Sequence, residues 1–310
     1  MSKNEIKYGI IGAGHLGNYH AQQLSKIKNV KLIGIYDVSN ETSKIFSQKY
    51  NIKLFETENE LYDNCDAVSI CTPASIHFKN AAEALESNCH LFIEKPITNN
   101  VSDGLKIIEL NKKIDKIIQI GHIERFNMAY INYLKNAGEP LFIECHRLAP
   151  YNIRGLDVPV VLDLMIHDID LILAMTNSNV SKISASGAKV ISKFIDLANA
   201  RIEFENGCVA NITSSRISEQ PMRKMRIFEK NSYSSLDFQT QTYKKISLKN
   251  DGNIDKAETS TTKTNALFEE LNAFIECIKL NKSPAVNETE GLNALEIAIK
   301  IQEIIEKEKE

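Results

Sequence analysis

The stretch Ile6-Lys7-Tyr8-Gly9-Ile10-Ile11-Gly12-Ala13-Gly14-His15-Leu16-Gly17 decides how the first part of the chain is read. Its apolar start predicts a strand over Ile6 to Ile11, and the residues from His15 to about Ile27 carry a helical pattern. The junction between them is a G-x-G-x-x-G. Gly12 permits a tight turn, Gly14 lets the backbone approach a pyrophosphate, and Gly17 lets helix pack on strand while the helix N-terminus faces the phosphates. Alone the pattern is weak. Its context strengthens it, because Asp37 closes a second predicted strand, Val30 to Tyr36, about twenty residues past Gly17. An aspartate there accepts from the adenosine ribose hydroxyls and repels a 2′-phosphate, so the site is read as one for NAD rather than NADP. Its ligands are Gly12, Gly14 and Gly17, with His15 and Leu16 in the turn, and Asp37; the alternative for Asp37 is a solvated strand-end carboxylate.

Outward from this stretch, short β-branched runs alternate with helical segments. Strands are predicted near Lys53 to Phe55, Ala67 to Cys71, Leu91 to Glu94 and Ile117 to Ile120. Helices fall at Ser39 to Tyr50, Glu58 to Tyr62, Ile76 to Ser87 and Ser102 to Lys113. Such alternation predicts a doubly wound, mostly parallel sheet over residues 1–122. From residue 123 to 310 the pattern changes to consecutive strands with turn signals at Glu205-Asn206-Gly207 and Lys230-Asn231. This predicts an α+β domain on a largely antiparallel open sheet. The fold class is therefore α/β, a Rossmann-like domain followed by a substrate-binding and oligomerisation domain. The C-terminal helices, Ala266 to Leu280 and Glu288 to Lys309, are candidates to pack back on the first. Residues 251–264 are polar and turn-rich and read as a mobile loop.

Composition narrows the function. The 310 residues are 43% hydrophobic and 25% charged, with a net charge of −3, which gives no reason to expect nucleic acid or an anionic membrane as partner. No apolar run approaches a membrane span, and the N-terminus lacks a signal peptide's apolar region, so a cytoplasmic location is expected. The six cysteines, at 65, 71, 89, 145, 208 and 277, include no CxxC pair, which argues for reduced thiols.

Two short segments stand where strands of the first sheet end, the place where ligands of such sheets bind. They are Cys71-Thr72-Pro73, with His77 just beyond, and Glu94-Lys95-Pro96. In the second half, the apolar helix predicted over Val160 to Met175 carries Asp163, His167 and Asp170 at i, i+4 and i+7, one polar stripe. Histidine suits proton transfer near neutrality, and a carboxylate one turn away can orient it; a satisfied structural histidine is equally open. No third metal ligand is evident, and no metal is expected.

With these motifs in order and at similar spacing, the chain resembles the Gfo/Idh/MocA family of sugar and inositol oxidoreductases over nearly its whole length. That resemblance implies cofactor contacts from Thr72, Pro73, His77, Glu94 and Lys95. It also implies Lys95 at the substrate beside the nicotinamide, and the Asp163/His167 pair with His167 as proton acceptor. Lys95 would stabilise developing alkoxide charge, Asp163 would hold His167, and hydride would pass to NAD. Glu94 either fixes the lysine, lines the cofactor site or makes a plain ion pair.

The stretches Gly121-His122-Ile123-Glu124-Arg125-Phe126-Asn127 and Arg154-Gly155-Leu156-Asp157-Val158 look in particular like the branch that oxidises the 3-hydroxyl of UDP-N-acetylglucosamine, in lipid A biosynthesis. Arg125, Asn127, Arg147 and Arg154 then join Lys95, Asp163 and His167 as substrate ligands. The arginines offer paired donors to a diphosphate, with salt-bridging arginines as the alternative. A free polyol such as inositol, and a non-catalytic NAD sensor on the same fold, are the competing readings. An open antiparallel face predicts a homodimer or homotetramer.

Overall fold

A computed structural model describes residues 5–152, 158–260 and 263–307, which form two compact units. The first comprises residues 5–122 and Asn265–Leu292, the second Ile123–Thr264 and the residues from Asn293. The boundary therefore falls inside the last helix.

The first unit is built in chain order from β1 (Ile6–Ile11), α1 (His15–Leu24), β2 (Val30–Tyr36), α2 (Asn40–Tyr50), β3 (Lys53–Leu54), α3 (Glu58–Tyr62) and β4 (Ala67–Ile70). It continues with α4 (His77–Glu86), β5 (His90–Glu94), α5 (Val101–Ile114) and β6 (Ile118–Gly121). The strands pair in the order β3-β2-β1-β4-β5-β6, all parallel, so the order reverses between β1 and β4. β4 is buried along its length, as a sheet covered on both faces requires. Ser39 caps α2 and Thr57 caps α3 through their side-chain oxygens, which is why both helices start where they do.

In the second unit α6 (Met128–Leu134) precedes β7 (Pro140–Leu148), and a π-helical turn over Val161–Met165 leads into α7 (Ile166–Thr176). Then come β8 (Val180–Ala188), β9 (Leu197–Phe204), β10 (Val209–Ser215), β11 (Met222–Glu229), β12 (Ser232–Asp237), β13 (Thr242–Leu248) and β14 (Ile254–Ser260). They form one sheet in the order β14-β13-β12-β11-β7-β10-β9-β8, antiparallel except for β7 with β10. Of the closing helices α8 (Ala266–Leu280) and α9 (Glu288–Lys307), α8 belongs to the first unit, where Phe274 meets Tyr8 and Phe92 edge-on.

Two local expectations are corrected. Residues 254–260 are an edge strand and not a loop. Their charged sequence hid it, because a strand with both faces solvated carries no apolar alternation. The helix expected over Val160 to Met175 opens as a π turn, so its polar residues do not follow one α-helical stripe.

Candidate active site

The glycines of the first turn are each needed for a different reason. Gly12 has φ +98°, and a Cβ there would lie 2.7 Å from the Cys71 carbonyl oxygen, so the turn rests directly on the end of β4. A Cβ on Gly17 would lie 1.9 Å from the Gly12 carbonyl oxygen. At Gly14 a Cβ would meet nothing within 4 Å, and Gly14, His15 and Leu16 are exposed at the start of α1. The N-terminus of α1 thus presents its first N–H groups, with no side-chain cap, to open space. Asp37 is fixed beside it: Ala13 N–H donates to Oδ2 at 2.6 Å and Ser39 N–H to Oδ1 at 2.8 Å. Close by in sequence order of strand ends, the buried Thr72 Oγ1 makes no hydrogen bond among the described residues. A dinucleotide fits this set, with pyrophosphate over Gly14, ribose hydroxyls on Asp37 and a hydrogen-bonding atom for Thr72.

The ends of β4 and β5 are tied together by His77, whose Nδ1 lies 2.9 Å from the Pro96 carbonyl and whose Nε2 lies 2.9 Å from the Thr72 carbonyl. Burial pulls the His77 imidazole below its ordinary pKa. His77 therefore holds the backbone of Thr72 and Pro96 at the two strand ends. Pro73, by contrast, is exposed, and Lys95 is half-buried at the end of β5, next to buried Glu94.

In the second unit Asp163 and Leu164, both in the π turn, line a cleft with Tyr151, Asn152 and Arg216. His167 lies in the first turn of α7 and, like Asp163, is half-buried. Asp170 is not part of that face. It is buried and receives Arg125, Nε to Oδ2 at 2.6 Å and Nη2 to Oδ1 at 2.9 Å. Arg147 is likewise buried, with Nε and Nη2 on Asp168 and Nη1 on Glu124 at 2.8 Å. Asn127 caps α6 and donates to Glu124 and to the Phe238 carbonyl. In the structure Arg125 and Arg147, expected as donors to substrate, clamp α7, while Asn127 caps α6 and ties Glu124 to the Phe238 carbonyl. The reason is charge balance, since buried Asp168 and Asp170 each need a cation. Arg154 lies outside the described residues. Sequence reading missed Arg216, which no motif marks, and it missed the carboxylate partners, although the alternation in Asp168-Ile169-Asp170 on an apolar helix was a signal. Among the described residues no cluster of His, Cys, Asp or Glu could hold a metal ion, and no helix is long and apolar enough to cross a membrane.

A six-stranded parallel sheet with an open glycine turn at its reversal point, an anchored Asp37 and a second, mostly antiparallel sheet define a dinucleotide-binding oxidoreductase. Residues 6–122 match the model of the oxidoreductase family with an NAD-binding Rossmann fold, and residues 112–231 match the Gfo/Idh/MocA C-terminal domain. The chain belongs to the Gfo/Idh/MocA family, and it is an NAD-dependent oxidoreductase acting on a CH–OH group.

Among relatives, UDP-N-acetylglucosamine 3-dehydrogenase from Acidithiobacillus ferrooxidans is 34% identical over 310 residues, 97% of each chain. Its solved structure superposes with a TM-score of 0.92 at 32% identity, covering 98% of both chains. A myo-inositol 2-dehydrogenase from Thermotoga maritima is 29% identical over 68% of this chain and 69% of its own.

Proposed function

We propose that the chain oxidises the 3-hydroxyl of UDP-N-acetylglucosamine to the 3-keto sugar. The similarity along 97% of both chains to a dehydrogenase of that name is the observation that carries the substrate. NAD, when bound, supplies the hydride acceptor. The remaining chemistry belongs to the chain's own residues. His167, half-buried on α7, takes the hydroxyl proton, and Asp163, just upstream in the π turn, orients it. Lys95 supplies a cation toward the developing alkoxide. The clamp of Arg125 and Arg147 on Asp170 and Asp168 holds α7, and with it His167, in place. Arg216 lines the same cleft as Asp163 and is buried there, donating to the Val158 carbonyl. The cytoplasm and a role in making the amino sugar of lipid A go with this substrate.

The engagement of Arg125 and Arg147 in ion pairs favours a second reading, a dehydrogenase of a free polyol such as inositol. Absorbance of NADH with a panel of UDP-N-acetylglucosamine, free N-acetylglucosamine and myo-inositol separates the two. The UDP-sugar should show the highest kcat/KM, because binding energy from the diphosphate helps orient the reacting carbon. A higher kcat/KM for inositol overturns the nucleotide-sugar assignment.

The second unit carries an apolar ladder across four strands, Phe142, Phe228, Tyr233 and Ile246, in register and therefore on one face. Phe228 and Ile246 are exposed. This supports a homodimer or homotetramer packed through that face, which light scattering tests; a strict monomer at micromolar concentration removes it.

A further inference from the structure

Four buried side chains form one hydrogen-bonded series through the first unit. Tyr8 Oη of β1 lies 2.9 Å from Ser69 Oγ of β4, and Ser69 Oγ lies 2.8 Å from Nδ1 of His20 on α1. His20 Nε2 lies 2.8 Å from Oε1 of Glu94 at the end of β5. Tyr8, Ser69 and His20 are fully excluded from solvent and Glu94 nearly so.

The direction of donation follows from valence. Among the described residues Ser69 Oγ is the one partner of Tyr8 Oη, so Tyr8 donates to it or leaves a buried proton without an acceptor. Ser69 then has His20 Nδ1 to receive its own proton, which leaves Nδ1 bare and puts the ring proton on Nε2, aimed at Glu94. A doubly protonated His20, or a protonated Glu94 donating to Nε2, would place a proton on Nδ1. Either would strand one hydroxyl proton on Tyr8 or Ser69.

We propose that Tyr8, Ser69 and His20 are a one-way series of donors that holds Glu94 as a carboxylate, and that His20 is thereby a positioning residue for Lys95. The first part stands alone; the second rests on the role given to Lys95 above. Glu94 is faced by His20 from α1, Cys71 after β4, His77 from α4 and Lys95 beside it. Burial pushes its carboxyl up, but the His20 hydrogen bond, with His20, Lys95 and His77 beside it, outweighs burial and holds the group below its ordinary range. The anion so maintained is the counter-charge of the Lys95 ammonium.

Nitrogen-15 NMR of histidine-labelled full-length protein reads the ring directly, with the His20 signals assigned by their loss in His20→Gln. Near neutral pH, Nε2 should be protonated and Nδ1 not. A doubly protonated ring or the opposite tautomer overturns the donor series. The link to Lys95 is read from kcat against pH in His20→Leu and His20→Gln. Glutamine offers a donor and an acceptor at a spacing like that of the ring nitrogens and takes up no proton. It should stay within about threefold of wild type, whereas leucine should move the acid limb upward by about one pH unit, about tenfold in rate there, with NADH affinity unchanged in both. A leucine profile that superimposes on wild type, or a glutamine variant that fails alongside it, overturns the positioning role. If the leucine variant does not fold, Ser69→Ala replaces it: with the donor to Nδ1 removed, its kcat profile should move in the same direction as expected for leucine, and a profile that superimposes on wild type overturns the series. Wild-type turnover in Lys95→Ala would remove the Lys95 reading while leaving the NMR result in force.

Discussion

Arg147 and Asp168 meet through two parallel hydrogen bonds inside the second unit, Nε to Oδ2 at 3.0 Å and Nη2 to Oδ1 at 2.8 Å. Both are buried, and Glu124 receives the remaining end of the guanidinium. Removing one partner leaves a buried charge without its counter-ion, whose cost is about 3–5 kcal/mol. Arg147→Ala should therefore lower the denaturant midpoint sharply, and urea unfolding followed by circular dichroism measures it. A variant as stable as wild type, with only a raised KM for substrate, would return Arg147 to the role of a substrate ligand.

Asp37 joins two backbone N–H groups to the edge of the nucleotide turn, so Asp37→Ala removes both an anchor for Ala13 and Ser39 and the ribose acceptor. NAD affinity should fall about tenfold or more, while affinity for NADP changes less, because the carboxylate that repels the 2′-phosphate has gone. Calorimetry with both dinucleotides checks this. Equal wild-type affinity for the two would remove Asp37 as the selector.

Replacing His167 by Ala should lower kcat by about 10²–10⁴-fold, the ordinary range for a lost general base, with NADH affinity little changed. Lys95→Ala should be at least as severe, and Asp163→Asn milder with a displaced pH optimum. Steady-state rates paired with NADH fluorescence titration separate turnover from binding. Near-wild-type turnover in either alanine variant takes that residue out of the reaction.

His90 gives the fold a pH dependence of known sign. Its Nδ1 accepts the Ile117 N–H at 3.0 Å, and burial lowers its pKa to about 4. The unfolded chain binds this proton near the ordinary histidine value of about 6.5, so between these two pH values the unfolded state holds more protons and stability rises with pH. The contribution is fully present above the unfolded value and is lost as pH falls toward 4. His90→Asn keeps an acceptor for Ile117 and cannot titrate. Its stability should vary less over that window than the wild type's, and parallel curves would show that His90 is not the source.

Much of the architecture was legible because the residues that make it act locally. β1 and β2 lie where their apolar runs predict, and α8 spans Ala266–Leu280 as its period implies. β14 was not legible, because its charged, largely exposed stretch from Ile254 to Glu258 carries no apolar alternation. Nor was the short α6, which starts on Asn127, a residue that the motif reading gave to substrate.

The amino-acid sequence by itself determined the glycine turn, the acidic residue that follows it, and the strand-end positions of Thr72 and Lys95. Each is a matter of spacing within a few tens of residues, where backbone geometry leaves little choice. Only the tertiary structure decided which polar residues face each other. Arg125 and Arg147 look the same in sequence as any anion-binding arginines. It is the burial of Asp168 and Asp170, brought to them across 21 and 45 residues of chain, that turns both inward. His20 and Glu94, separated by 74 residues, meet for the same reason: a charge or polar atom withdrawn from water takes the partner that folding brings within reach.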